Sequence, residues 1–418
     1  MEGGQAPLHS GQKLPLCGNL RPPLPPERGA APQRPAFAAW GSVSRNSIRP
    51  YPKTIPVPPA FLVAVLLLPL LLAGCRQSPE PQIELALGTV CIVNLYEDGT
   101  DRLYSRIFSR IREIDRRMTD FPPIGDEPPS EIIRIAEFAG IRPVEVGPDL
   151  IDVLRRALHF AELSGGAFDP TIGPLSKLWF RENPENAVPS REAVDSALSL
   201  VNWRDLEIDV EAGTAYLRRP GMSLDLGGIA KGYAADEAAR LAVEAGVRRA
   251  VIDLGGNILV VGWLQRGSGT LARLFSRQVK VEKPWRVGIQ NPLGERGEVV
   301  GVVGVNDTSI VTSGIHERFF EAPDEAGNLR RFHHLLSTKD GFPAETGLLS
   351  VTVVAEDSMD ADAVSTALFT LGYDRGMAML ENLPGIEAIF VFANRDVRIT
   401  AGLEGIFTLT DRDFTLMR

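Results

Sequence analysis

The chain has 418 residues with a formal net charge of −9, 44% of them apolar and 23% charged, a composition that excludes a wholly disordered or collagen-like protein. Charge is segregated: residues 1–74 carry seven Lys/Arg against two Asp/Glu, which leaves −14 on Cys75 to Arg418. An acidic body of that size argues against nucleic acid as a partner.

Thirteen of the 32 prolines fall in the first 60 residues, among them Pro22, Pro23, Pro25 and Pro26, with no apolar periodicity. Residues 1–60 therefore read as a disordered Pro/Arg-rich extension, with the true start codon left open. Phe61 to Leu72 is an almost wholly aliphatic run behind Arg45, Arg49 and Lys53, too short to span a bilayer and suited to a signal-peptide h-region. It ends Leu72-Ala73-Gly74-Cys75, which resembles the bacterial lipobox. The competing reading, a buried apolar helix ending in Gly-Cys, has Pro69 against it. The expectation is an exported protein whose residues 61–74 are removed and whose Cys75 carries the lipid, facing the periplasm, with the inner membrane favoured over the outer. Residues 75–418 form the globular part. Apart from Cys75 at its lipid-bearing first position, only Cys91 lies inside it, so no disulfide framework or cysteine zinc site is possible there.

Along that body, Ile83 to Tyr96 reads as a strand followed by an Asp98-Gly99 turn, and Leu103 to Met118 as an amphipathic helix. Pro148 to Leu163 reads as a helix stopped by Gly165-Gly166. Met222–Leu226 reads as a strand, Lys231–Ala245 as a helix and Ala250–Leu254 as a strand. Further strands are expected near Arg286–Gln290, Gly301–Val305, Leu349–Val354 and Ile386–Ala393, with one helix from Ala361 to Leu371. The fold class is α+β, mixed helix and sheet, without tandem repeats.

Four stretches carry chemistry. In Asp225-Leu-Gly-Gly-Ile-Ala-Lys231-Gly, two glycines lead into a helix N-terminus, where free N–H groups and the positive dipole end suit a phosphate. A lysine in a first turn sits against that dipole, which points to a nearby anion; a plain turn with a solvated lysine fits the spacing equally well. In Asp357-Ser-Met-Asp360-Ala-Asp362-Ala-Val-Ser-Thr366, Asp362 and Thr366 are four apart on one helix face and can offer two oxygens to one ion, while helix capping is the plainer use of the acids. Gly165-Gly-Ala167-Phe168-Asp169-Pro170-Thr171 can wall a flat ring or simply end a helix. Thr312-Ser313-Gly314 and Arg331-Phe-His333-His334-Leu-Leu336 complete the set; paired histidines are by themselves more often structural.

Taken in chain order, these motifs resemble those of the ApbE family, the FAD:protein FMN transferases, from about Leu87-Gly88-Thr89 to the C-terminus. The resemblance implies a mixed α/β fold around a T-fold-like core. It implies FAD contacts at Leu87, Phe121, Ala167, Phe168, Asp169, Asp225, Lys231 and Leu336, and Mg²⁺ held by the Gly228 carbonyl, Asp362 and Thr366. Two departures stand out. Ile315-His316 replaces the family's usual Asp-Tyr, which removes an acid near the site, and Ser337-Thr338 replaces Asp-Pro, which is expected to loosen that loop.

The activity so implied is Mg²⁺-dependent transfer of FMN from FAD to a threonine or serine hydroxyl of a target protein, with release of AMP. The implied acceptor is a flavin-carrying subunit of a membrane electron-transfer complex. Lys231 would hold the phosphates and His334 would be the base for the hydroxyl. Two other activities fit the same motifs: an FAD pyrophosphatase yielding FMN and AMP, and a non-catalytic FAD-binding lipoprotein.

Overall fold

The computed structural model describes residues 80–123, 125–265, 282–323 and 327–417. The leader and Cys75 lie outside the described residues. No helix among the described residues is long and apolar enough to cross a membrane.

A nine-stranded sheet organises the rest. Its strands neighbour one another in the order in which they occur in the chain: β1 Gln82–Ala86, β2 Thr89–Asn94, β3 Ala250–Leu254, β4 Asn257–Val261, β5 Thr308–Gly314, β6 Leu348–Ala355, β7 Glu387–Phe392, β8 Asp396–Ile399 and β9 Thr415–Leu416. The pairings are antiparallel up to β7–β8, and β8–β9 is parallel. Side chains alternate across the sheet. Val311, Val351, Val353, Ala388 and Phe390 join a core with helices α1 Asp101–Met118, α2 Pro148–Leu163, α3 Ala230–Glu244 and α4 Ser358–Leu371. Ile310, Val354, Ile389 and Val391 join a second core with a small sheet made of Trp285–Gln290, Val299–Val305 and Phe407–Leu409. All eight residues of β6 are buried, Ser350 and Thr352 among them, which fits a strand covered on both faces. The mixed α/β reading of the sequence holds.

Helices α3 and α4 approach closely because position 232 has no side chain. A Cβ on Gly232 would stand 2.3 Å from Ser358 O and 2.6 Å from Met359 Cα. One turn further along α3, the Asp236 carboxylate accepts from the Ser358 and Met359 N–H groups, each at 2.8 Å, and caps α4. Burial raises the Asp236 carboxyl to about 7 against the opposing pull of those amides. Asp360, in the first turn of α4, pairs with Arg156 on α2.

A third, smaller core surrounds Trp179. Its ring stacks on Phe332 at 5.8 Å and Phe320 at 6.3 Å, and its Nε1 donates to Gly341 O at 2.8 Å. Aromatic pairs of this kind contribute about 0.5–1.5 kcal/mol each beyond the area they bury. They fix the hairpin of strands Phe319–Pro323 and Leu329–His333, and so the histidine segment that follows it.

Three expectations need correction. Ile83–Tyr96 is two strands rather than one, because Leu87 and Gly88 both adopt positive φ (55° and 68°) and fold the chain into a tight hairpin. That conformation is uncommon for leucine, and the Leu87 N–H is held by Asp115 Oδ2 of α1 at 2.9 Å. Met222–Leu226 is buried at every position but Asp225, yet it joins no sheet; the Asp225 N–H goes to Pro170 O at 2.9 Å. Finally, α4 begins at Ser358 rather than Ala361, because its cap comes from α3 and not from its own acidic residues.

Candidate flavin and metal site

A cavity of about 710 Å³ opens among the β1–β2 turn, the loop after α2, the N-terminus of α3, the end of β5, the histidine segment and one face of α4. Leu87, Phe121, Ala167, Phe168, Asp225 and Leu336 border it, as do Gly228, Lys231, His334, Asp362 and Thr366. A second cavity of about 630 Å³, lined by Arg330, Lys339, Tyr373 and Arg375, shares Thr370 with the first and holds none of those residues.

The Asp362 carboxylate lies at the heart of the site, with its side chain 3% exposed. Oδ2 accepts from the Gly232 N–H at 3.0 Å, and Lys231 Nζ donates to Oδ1 at 3.2 Å and Oδ2 at 3.3 Å. The same ammonium donates to Gly227 O at 2.7 Å. It therefore occupies a cradle of carbonyl and carboxylate oxygens, and Lys231 is bound to the expected metal ligand instead of standing free for a phosphate. Thr366, one turn along from Asp362, has its Oγ1 3.1 Å from where a Cβ on Gly228 would stand, and 3.3 Å from Ser313 Oγ. Ser313 Oγ also lies 2.8 Å from Ser365 Oγ. The donor set around Asp362 and Thr366 is all oxygen, which suits magnesium, an ion that needs few protein ligands and completes its shell with water and phosphate. No group of three or more His, Cys, Asp or Glu among the described residues is arranged to hold a metal, so any ion here relies on hydroxyl and carbonyl oxygen as well.

Asp169 borders the cavity too, but both its oxygens are engaged: Oδ1 by the Thr171 N–H at 2.8 Å and hydroxyl at 2.7 Å, Oδ2 by the Trp203 N–H at 3.0 Å. Its part is to fix the loop that carries Ala167 and Phe168. Asp225 Oδ1 accepts from the Gly227 N–H at 2.8 Å and holds the glycine turn. Burial works to raise the Asp225 carboxyl, but Arg181, the Gly227 N–H, Ser176 and Arg318 outweigh it and keep it below the usual carboxylate range.

Arg181 escaped the motif reading. It lies in a π-helical turn, Lys177–Arg181, pairs with buried Asp120 at 2.6 Å, and places its guanidinium 3.9 Å from the centre of the Phe121 ring. It thereby holds a half-exposed aromatic ring at the cavity wall. Burial and the Asp225 charge raise Asp120 to about 6 against the pull of Arg181.

His334 Nδ1 lies 3.1 Å from Arg318 O, which makes Nδ1 the protonated nitrogen and leaves Nε2 with a free lone pair. Burial, with the nearby Arg318 charge, pushes this imidazole down to about 3, so it is neutral but a weak proton acceptor. His333 is buried edge-on against Phe369 at 5.5 Å and is likewise pushed down, to about 4. The Ser337-Thr338 departure does not loosen its loop. Thr338 Oγ1 donates to Gly166 O at 2.7 Å, and the Ser337 N–H to Phe342 O at 2.8 Å.

Because Lys231 neutralises a buried carboxylate, Lys231→Met is expected to destabilise the protein by about 3 kcal/mol, the cost of leaving one partner of a buried pair uncompensated. Adding Asp362→Asn is expected to recover most of that loss in chemical denaturation. A Lys231→Met protein as stable as wild type would show that the pair carries no weight.

Residues 87–390 match the ApbE family model. The chain is 37% identical over 350 residues to the FAD:protein FMN transferase of Treponema pallidum, which covers 82% of this chain and 92% of the relative. It is 31% identical to one from Klebsiella pneumoniae, with 75% and 90% covered. The crystal structure of the ApbE protein of Thermotoga maritima superposes with a TM-score of 0.65 at 28% identity, over 78% of this chain and 98% of that one. With its motifs gathered around one cavity and a family match spanning most of its length, the chain belongs to the ApbE family.

Proposed function

We propose that this protein is a transferase that moves flavin from FAD to a protein, with FMN passed to a threonine or serine hydroxyl and AMP released. The observation that carries this reading is the oxygen cradle at Asp362, placed in the same cavity as the aromatic and apolar walls at Phe121, Phe168 and Leu336. A flat ring system at one end and a pyrophosphate at the other need that combination.

In this reading FAD lies against Leu87, Phe121, Ala167, Phe168 and Leu336, and Asp225 and Asp169 keep the two loops of the wall in place. Asp362, Thr366 and the Gly228 carbonyl hold Mg²⁺, which when bound neutralises pyrophosphate charge and the charge that builds as the phosphoryl group transfers. Lys231 competes for the same carboxylate; released from it, its ammonium offsets negative charge on the phosphates beside the α3 N-terminus. His334 presents Nε2 as a hydrogen-bond acceptor that orients the incoming hydroxyl. The acceptor implied by the family is a flavin-carrying subunit of a membrane electron-transfer complex. Hydrolysis of FAD by water, or FAD storage without chemistry, would use the same walls; the transferase reading is favoured by the names of the two relatives described above.

Purified protein incubated with FAD, Mg²⁺ and such a subunit is expected to add the mass of one FMN phosphoryl group to the subunit, with loss on chelation. Asp362→Ala is expected to abolish the transfer, because several kcal/mol of transition-state stabilisation disappear with a metal ligand. FMN and AMP without a labelled subunit would identify a hydrolase, and intact FAD a binder.

We also propose that the mature chain begins at a lipidated Cys75 and is held at the periplasmic face of the inner membrane, on the strength of the Leu72-Ala73-Gly74-Cys75 sequence. Cys75→Ser is expected to leave an unprocessed or soluble form on membrane fractionation; recovery of the same processed, membrane-bound species would remove this assignment.

A further inference from the structure

The first two strands form one edge of the nine-stranded sheet, and they carry apolar surface that the fold leaves uncovered. Cross-strand partners share a face, so Ile83 stands beside Ile92 and Leu85 beside Val90 on one side of β1 and β2, while Gln82, Glu84, Ala86, Cys91 and Val93 point to the other. That other side is closed: Ala86, Cys91 and Val93 join the core with the helices, and Glu84 pairs with Arg112 of α1. The side with Ile83 and Leu85 is the one that β3 and β4 continue with Val251, Ile258 and Val260, which pack in the core made with the small sheet. The cover stops short of the edge. None of Ile83, Leu85, Val90 and Ile92 joins any of the three cores among the described residues, and Ile83 and Leu85 are 62% and 80% exposed.

We propose that this edge face of β1 and β2 lies against the lipid bilayer. This rests on the reading of Cys75 as the lipid-bearing first residue. Six residues, 76–81, separate Cys75 from Gln82. A chain of that length spans at most about 25 Å even when fully extended, so the start of β1 stays close to the membrane surface. A tether so short keeps Ile83 and Leu85 at high effective concentration beside lipid, where a small apolar contact is enough to set orientation.

The chemistry of the face suits hydrocarbon better than a protein partner. All four side chains are aliphatic, and β1 and β2 place no charged side chain among them, so no ion has to be stripped of water on contact. The centre of a specific protein interface is instead rich in Trp, Tyr and Arg, and none of these stands on this face of the two strands. The consequence is one of placement. The Leu87-Gly88 turn that joins β1 to β2 borders the flavin cavity. With the two strands resting on lipid, that rim of the cavity is held at the membrane surface, where the acceptor proposed above presents itself.

The test uses the full, processed chain anchored in vesicles of phosphatidylethanolamine and phosphatidylglycerol, with a nitroxide attached at Leu85→Cys or, as a control, at Ile141→Cys, a position also exposed but outside this face. Cys91 is buried and Cys75 carries the lipid, so the label goes to the introduced thiol. Collisions with oxygen, which concentrates in the bilayer, and with a water-soluble nickel chelate are read by power saturation of the spin signal. The Leu85 label is expected to lose most of its collisions with nickel and to gain collisions with oxygen, while the Ile141 label stays open to nickel. Adding Ile83→Glu is expected to return the Leu85 label to water while the protein remains on the vesicles. A Leu85 label as open to nickel as the Ile141 label, on protein that stays vesicle-bound, would overturn the proposal and leave the lipid anchor standing. Protection from nickel and oxygen together, with spin–spin broadening, would place a second copy of the chain on the face and overturn it as well. Processed protein that does not stay with the vesicles would remove the Cys75 reading and this proposal with it.

Discussion

The site depends on one buried carboxylate. Asp362 lies almost wholly out of water, and a charge so placed costs several kcal/mol unless something compensates it. The compensation dictates its surroundings: Gly232 must lack a side chain so that α3 comes near enough to donate its N–H, and Lys231 must reach back across the first turn to the carboxylate and to Gly227 O. Gly228 must be bare where it faces Thr366 and Phe168. A first-turn lysine is unfavourable for a helix taken alone, since it opposes the dipole. Here it is retained because it answers a charge on a different helix.

That requirement explains which parts of the sequence were legible. Local patterns were easy to read: the α1 periodicity, the strand near Leu349–Val354 and the strand Ala250–Leu254 all appear as expected. Motif residues were legible as a set because they share one cavity. Their partners were not. The pairing of Lys231 with Asp362 spans 131 residues, and the cap that Asp236 gives α4 spans 122. No spacing rule reaches that far. The Met222–Leu226 segment misled because a short buried apolar stretch reads like a strand whether or not it joins a ladder. Leu87 was hidden for a related reason: its N–H is held by Asp115 from another element, and Gly88 alone marks the turn in the sequence.

The two departures from the family pattern are absorbed differently. At Ser337-Thr338 a hydroxyl ties the loop to Gly166, so a proline's rigidity is replaced by a hydrogen bond. At Ile315 an apolar residue joins both cores, and Glu317, two positions on, borders the cavity.

On the proposed function, the Lys231 ammonium and a divalent cation compete for Asp362. Calorimetric titration of Mg²⁺ into chelator-stripped wild type and Lys231→Met, without FAD, tests it most directly. Removal of the competing ammonium should tighten Mg²⁺ binding in the Lys231→Met protein, by about tenfold for each 1.4 kcal/mol of competition relieved. Equal or weaker binding of Mg²⁺ by the Lys231→Met protein would contradict the account.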